Sequence, residues 1–328
     1  MLNFILRGKP ALSGLILAGL SIFVWTYALS ADPGDKDPDG RGIGTKDNHQ
    51  GNQGDQGNGS NPNGDAGNRH GVPGNGINYH GGPVLTSGSN VYYIWYGNWG
   101  TNTATTILPN LPAGLNGSPY FHINTTYYNG SNQHVQNAVY FAKQYSIPPT
   151  SSEYIGATLT DANVQSIVAG VINGGHLSYD ANGVYFLLTS PEIKESSGFC
   201  TSYCGWHTHF ALNGVSNNDV KYAFVGDADS QCPSACEYQT TSSPNSNPGA
   251  DGMASVIAHE LEEATTDPDL NAWYDTRGYE NADKCAWTFG TTHTASNGSI
   301  YNMVLNAKQF LIQQNWVNAS GGYCALSY

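Results

Sequence analysis

Two runs of side chains restrict the fold of this chain more than anything else in it. Residues 91–96 read VYYIWY and Gly183–Thr189 reads GVYFLLT, both nearly without polar residues. β-Branched and aromatic side chains suit extended backbone, and a strand that lacks polar alternation is one covered on both faces. Residues 221–225 (KYAFV) form a third candidate strand, and each run is bounded by Gly, Asn or Asp. Asp161 stands where a helix N-cap belongs, ahead of Val164, Ile167, Val168 and Val171, and Gly174 with Gly175 ends that helix just before GVYFLLT. The expected fold class is therefore α/β or α+β, a single domain with a mixed sheet. The C-terminal third, with IYNMVLN and FLIQQNWV, follows neither period clearly.

The material for that domain begins late in the chain. Arg7 and Lys9 precede the apolar run of residues 11–29, and small residues follow at Ala28, Ser30 and Ala31. This pattern is that of a secretory signal peptide over residues 1–31, cleaved after Ser30 or Ala31, the alternative being an uncleaved anchor. Residues 32–76 hold 13 Gly and only Ile43, Ala66 and Val72 as apolar side chains, so they offer no face to bury. They read as a Gly/Asn/Asp-rich disordered linker. Residues 77–328 remain as one secreted, extracellular domain, with no membrane association once the signal is removed.

Six cysteines, Cys200, Cys204, Cys232, Cys236, Cys285 and Cys324, all fall within that domain. In an exported protein an even count implies disulfides, although six cysteines permit about 15 pairings. Local pairing of Cys200 with Cys204 and of Cys232 with Cys236 would leave Cys285 for Cys324. A metal site at the two Cys-x3-Cys pairs is the competing reading.

Charge is scarce but concentrated. The chain carries 25 acidic and 12 basic side chains, a net of −13, yet only 11% of its residues are charged. That balance excludes nucleic acid as a partner class. Nine acids lie between Asp251 and Asp283. Within this stretch, residues 251–268 read DGMASVIAHELEEATTDP, with Asp251 as an expected cap, an apolar stripe of Met253, Val256, Ile257, Leu261 and Ala264, and Pro268 as the stop.

The helix contains the pattern His-Glu-x-x-Glu. His259 and Glu263, four residues apart, share a helical face and can offer a nitrogen and an oxygen to one ion, while Glu260 can act as general base toward water. This is the zincin arrangement His-Glu-x-x-His with its second histidine replaced by glutamate. The expected cofactor is a divalent metal, zinc first, with manganese or calcium brought into play by the extra anion. Glu280 or Asp283 downstream, or His207 upstream, would complete the shell. His207 and His209, two apart on a strand, would share a face, and Asp267 continues the helical series at its breaking end.

The bland reading makes the Glu-rich turn a solvated surface and His259 a core histidine bonded to a carbonyl. Against it, this chain builds its polar surface from Asn and Ser, and placing Glu260, Glu262, Glu263, Asp267 and Asp269 near one histidine creates repulsion that a cation relieves. The leading expectation is a peptidase-type hydrolase acting on a peptide or cell-wall substrate. The rival is a non-catalytic extracellular binding or signalling module. A Ser nucleophile elbow and a phosphate loop are both lacking, and nothing selects a glycosidase pair among the carboxylates.

Several blocks in order, YHGGPVLTSGSNVYYIWYGNW, GVYFLLTSPEI, GFCTSYCGWH, QCPSAC, SVIAHELEEATTDPDLNAWY and ENADKCA, resemble the phosphate-induced protein family, often called EXORDIUM-like, over roughly residues 79–328. The resemblance implies a protein of the cell wall or extracellular space, linked in plants to growth and cell expansion, without a settled biochemical activity. The family pattern is matched at His207, His259, Glu260, Glu263 and the Cys200/Cys204 and Cys232/Cys236 motifs. His209 is not carried over, and plant members tend to have Asn where this chain has Asp267. The glycine-rich linker also departs from the usual plant arrangement.

Overall fold

The computed structural model describes residues 76–215 and 217–328. The expected signal segment and almost all of the linker lie outside the described residues. A five-stranded sheet organises the rest. Its strands are β1 (Ser89–Tyr96), β2 (Val139–Ile147), β3 (Gly183–Thr189), β4 (Gly205–Ala211) and β5 (Asp219–Gly226). The spatial order is β2-β1-β3-β5-β4. All neighbours pair in parallel except β4, which runs antiparallel to β5 at the sheet edge.

The apolar runs behave as their composition requires. Every residue of β3 is buried, and β1 has only Asn90 in an intermediate position. Tyr93, Trp95 and Phe186 interlock edge to face within the core. Edge strand β2 alternates much more exposed positions, which is what water on its outer side permits.

Two longer helices lie against the sheet, and the second of them carries the site. Helix α1 (Asp161–Asn173) buries Val164, Ile167, Val168, Val171 and Ile172, as its spacing predicts. Its cap is Thr160 rather than Asp161: Thr160 accepts from the Asn163 N–H while the Asn163 side chain accepts from the Thr160 N–H. A capping box of hydroxyl and amide thus replaces the expected carboxylate.

Helix α2 (Pro248–Thr266) packs on β4 and β5. It starts one turn earlier than the sequence suggests. Asn247 is the N-cap, accepting from Ala250 N–H at 3.0 Å, and Pro248 occupies the first turn, where its missing N–H costs nothing. Asp251 instead accepts from the Asn245 backbone (2.8 Å) and side chain (2.6 Å), tying the preceding loop to the helix. The helix ends at Thr266 with Asp267 as C-cap, before Pro268.

Gly205 opens β4 and lets α2 approach the sheet. A Cβ there would stand 2.5 Å from Val256 Cγ1 and 2.9 Å from the Phe224 carbonyl oxygen. Opposite His207, one step along the strand face, β5 offers only Ala223. Small residues at both places leave room between sheet and helix for polar side chains.

Three disulfides form, Cys200–Cys232, Cys204–Cys236 and Cys285–Cys324, and no cysteine is free. The local pairings within each Cys-x3-Cys motif do not occur; the two motifs cross-link in parallel, which also removes them as a thiolate metal site. The reason is geometric: Cys232 and Cys236 flank one turn of helix, Pro233–Cys236, and present their sulfurs side by side to the loop before β4. The C-terminal runs become hairpins, Met303–Leu305 with Lys308–Phe310 and Asn315–Val317 with Tyr323–Ala325. Among the described residues no helix is long and apolar enough to cross a membrane.

Candidate metal centre

Between α2 and β4 the chain buries an unusual density of titratable groups. His259, Glu260, Glu262 and Glu263 on α2 each have 0% exposure, so the Glu-rich turn is no solvated surface. His207 from β4 reaches the same place with 6% exposure. Glu280 and Asp283 come from the segment after α2, where Asp283 begins a short 3-10 turn (Asp283–Cys285).

The side chains interlock. His259 Nε2 lies 2.8 Å from Glu263 Oε1 and 3.3 Å from Asp283 Oδ1. His207 Nε2 lies 3.1 Å from Glu280 Oε2 and 3.8 Å from Glu263 Oε2. Backbone groups hold the acids in register: Asp283 N–H donates to Glu263 Oε1 at 3.0 Å, and Glu280 N–H donates to Asp283 Oδ2 at 3.2 Å. The structure therefore brings together every predicted ligand, His207, His259, Glu263, Glu280 and Asp283, with Glu260 beside His259 and Glu263.

Electrostatics divides the two histidines. Burial drives His207 down to about 3, with Asp283 opposing and His259 and His209 adding to the fall, so its imidazole is neutral and able to ligate. Burial also works against charge on His259, yet Glu263, Asp283 and Glu260 outweigh it and hold that imidazole well above its usual value. Burial, then Glu263, Asp267, Asp283 and Glu260, push the Glu280 carboxyl well above its ordinary range.

Two sequence candidates go elsewhere. His209 does share a strand face with His207, but its Nδ1 pairs with Asp219 Oδ1 at 2.9 Å, and Lys221 and Asp269 complete that separate network. Asp267 uses its Oδ1 to accept from the Asn271 and Ala272 N–H groups at 2.6 and 2.5 Å, fixing the turn after the helix.

Sequence reasoning missed the amides that frame the centre. Gln313 meets His259 Nδ1, and Asn124 and Asn315 both donate to Glu262 Oε2. Asn281 donates to the Glu262 carbonyl oxygen at 3.2 Å. Amides in FLIQQNWV and HINTT carry no charge and no spacing rule, so only their arrival beside the helix reveals them. The signal that existed was compositional: FLIQQNWV places three amides inside an otherwise apolar run.

The fold and the site define a class: a disulfide-bonded mixed α/β protein whose sheet edge and neighbouring helix enclose a histidine–carboxylate centre. The phosphate-induced protein 1 conserved region matches residues 77–325. The chain belongs to this EXORDIUM-like family. It is 30% identical over 272 residues to Protein EXORDIUM-like 5 of Arabidopsis thaliana, covering 72% of this chain and 73% of that protein. It is 28% identical over 277 residues to Protein EXORDIUM-like 3 of the same plant, covering 74% and 80%. Protein PHOSPHATE-INDUCED 1 of Nicotiana tabacum is 23% identical over 215 residues, covering 59% of this chain and 65% of the relative. No solved structure matches the chain at a significant level.

Proposed function

We propose that this protein is a secreted, extracellular metalloprotein whose buried centre holds a divalent cation, zinc in the first instance, on His259, Glu263 and Asp283 with His207 and Glu280 adjoining. The observation that carries this reading is the donor set itself. Two imidazoles and four carboxylates meet in an interior where unpaired charge is costly, and borderline and hard donors of this kind suit a divalent ion. Glu280 Oε1 adds to it, as a buried carboxylate oxygen without a hydrogen-bond partner. The three disulfides fit an oxidising compartment, as does the expected signal segment.

Burial of every one of these side chains favours a closed centre, in which the ion secures α2 to the Glu280–Asp283 segment and to β4 and so stiffens an extracellular binding or signalling module. A second reading is favoured by Glu260, which lies beside the His259–Glu263 pair on the same helix. In that reading the protein is a peptidase-type hydrolase of a peptide or cell-wall substrate. A divalent ion supplies Lewis acidity there. Glu260 would take the proton of the attacking water on its carboxylate.

Elemental analysis of the full chain, expressed with zinc and then dialysed, tests the first reading. At least one equivalent of metal is expected, lost in His259→Ala; a wild-type protein that retains none would sink it. Glu260→Gln separates the two readings: it is expected to keep metal and fold while removing any peptide cleavage, and cleavage that survives it rules out Glu260 as the base.

A further inference from the structure

The centre has more donors than one ion uses, and they fall into two sets. Ligand atoms of His259, Glu260 and Glu263 lie within 4.8 Å of one another, and so do those of His207, Glu263 and Glu280. Glu263 is common to both sets, and its two oxygens are divided between them. Oε1 faces His259 Nε2 at 2.8 Å and Oε2 faces His207 Nε2 at 3.8 Å. Asp283 Oδ1 joins the first set at 3.3 Å from His259 Nε2, and Glu280 Oε2 joins the second at 3.1 Å from His207 Nε2. A carboxylate that turns one oxygen to each of two imidazoles is placed as a bridge, and carboxylate-bridged ions in two-metal sites stand about 3.5–4 Å apart.

Charge points the same way. Glu260, Glu263, Glu280 and Asp283 together bring four negative charges when ionised, and ligating imidazoles are neutral. Two divalent ions match four ionised carboxylates, whereas one matches only two of them. Glu280 supplies the independent observation: the residue has 7% exposure, and its Oε1 has no hydrogen-bond partner among the described residues. A cation on the His207 side would satisfy it.

We propose that the centre takes two divalent ions bridged by Glu263, one held by His259 and Asp283 with Glu260 beside it, the other held by His207 and Glu280. This rests on the metal reading and extends it. Each ion receives one imidazole nitrogen and two carboxylates, a donor set suited to zinc or manganese. The nearby His209, Asp219 and Asp269 group is of another kind, because Lys221 Nζ already lies 2.5 Å from Asp219 Oδ2 and 3.5 Å from Asp269 Oδ1.

Equilibrium dialysis of the full chain against zinc, followed by elemental analysis, tests the stoichiometry. Two equivalents per chain are expected. One equivalent overturns the two-ion proposal and leaves the metal reading standing; none overturns both. Location is tested by Glu280→Gln and His207→Asn, each expected to fall to one equivalent with the near-UV circular dichroism of the parent, and by His209→Asn, expected to keep two. If His209→Asn loses an equivalent, or a folded Glu280→Gln keeps both, the second ion lies elsewhere and the proposal fails. Should neither ligand variant fold, the wild-type count and His209→Asn still decide.

Discussion

Glu262 shows how far a single residue can depart from its sequence-level reading. Beside the predicted ligands it looks like one more surface glutamate, yet it is fully buried, with Asn124 and Asn315 donating to Oε2 and Oε1 left without a partner. Burial pushes its carboxyl up to about 8, although both amides and His259 pull the other way. The unfolded chain loses this proton near 4.5, the folded chain only near 8. Between those values the native state holds the extra proton, so stability falls as pH rises through the window and the loss is complete above it. Metal-free Glu262→Gln should therefore gain on the parent between about pH 5 and pH 8, by roughly 1.4 kcal/mol per pH unit at most, and hold that gain above the window. Urea midpoints measured across that range check it, and parallel curves for the two proteins would mean that Glu262 ionises normally.

At the scale of elements, α2 is legible in its middle and not at its ends. The stripe and the His-Glu-x-x-Glu pattern survive into the structure because helical periodicity is local. The caps moved, from Asp251 to Asn247 and from Asp161 to Thr160, because Asp, Asn and Thr are near-equivalent cap formers and the loop geometry chooses among them. The seating of α2 on the sheet depends on Gly205. Gly205→Ala should force the helix outward from Val256 and the Phe224 carbonyl and disturb Glu260, whose Oε1 would lie 3.3 Å from the new Cβ. The expected cost is about 1–3 kcal/mol, read as a lower thermal midpoint together with weaker metal retention. An unchanged midpoint would show that α2 sits less tightly than described.

Over the whole molecule the disulfides hold the parts of the centre that no regular element fixes. Cys285 lies two residues after Asp283 and is bonded to Cys324 in the last hairpin, closing 39 residues. Loop-closure entropy for a ring of that size is about 4 kcal/mol. The double variant Cys285→Ser, Cys324→Ser should lose stability of that order in denaturant and also hold metal more weakly, since the turn carrying Glu280 and Asp283 is freed. Loss of stability without any change in metal affinity would uncouple that turn from the centre. The Cys200–Cys232 and Cys204–Cys236 bonds act at the other side, where they anchor the loop that leads into β4 and His207.

Local pattern in the chain was enough to specify the doubly covered strands, from unbroken β-branched and aromatic runs, and the helix, from its stripe. It also marked His259 and Glu263 as candidate ligands, from a four-residue spacing, and specified family membership, from ordered blocks. Tertiary packing settled the remainder. It chose the crossed disulfides over the local pairs, and it sent His207 and His209, two residues apart, into different networks. It also gathered Glu280, Asp283 and Gln313 around one helix. These outcomes depend on which segments far apart in the chain meet across a packed interface, and no periodicity within a segment encodes that meeting.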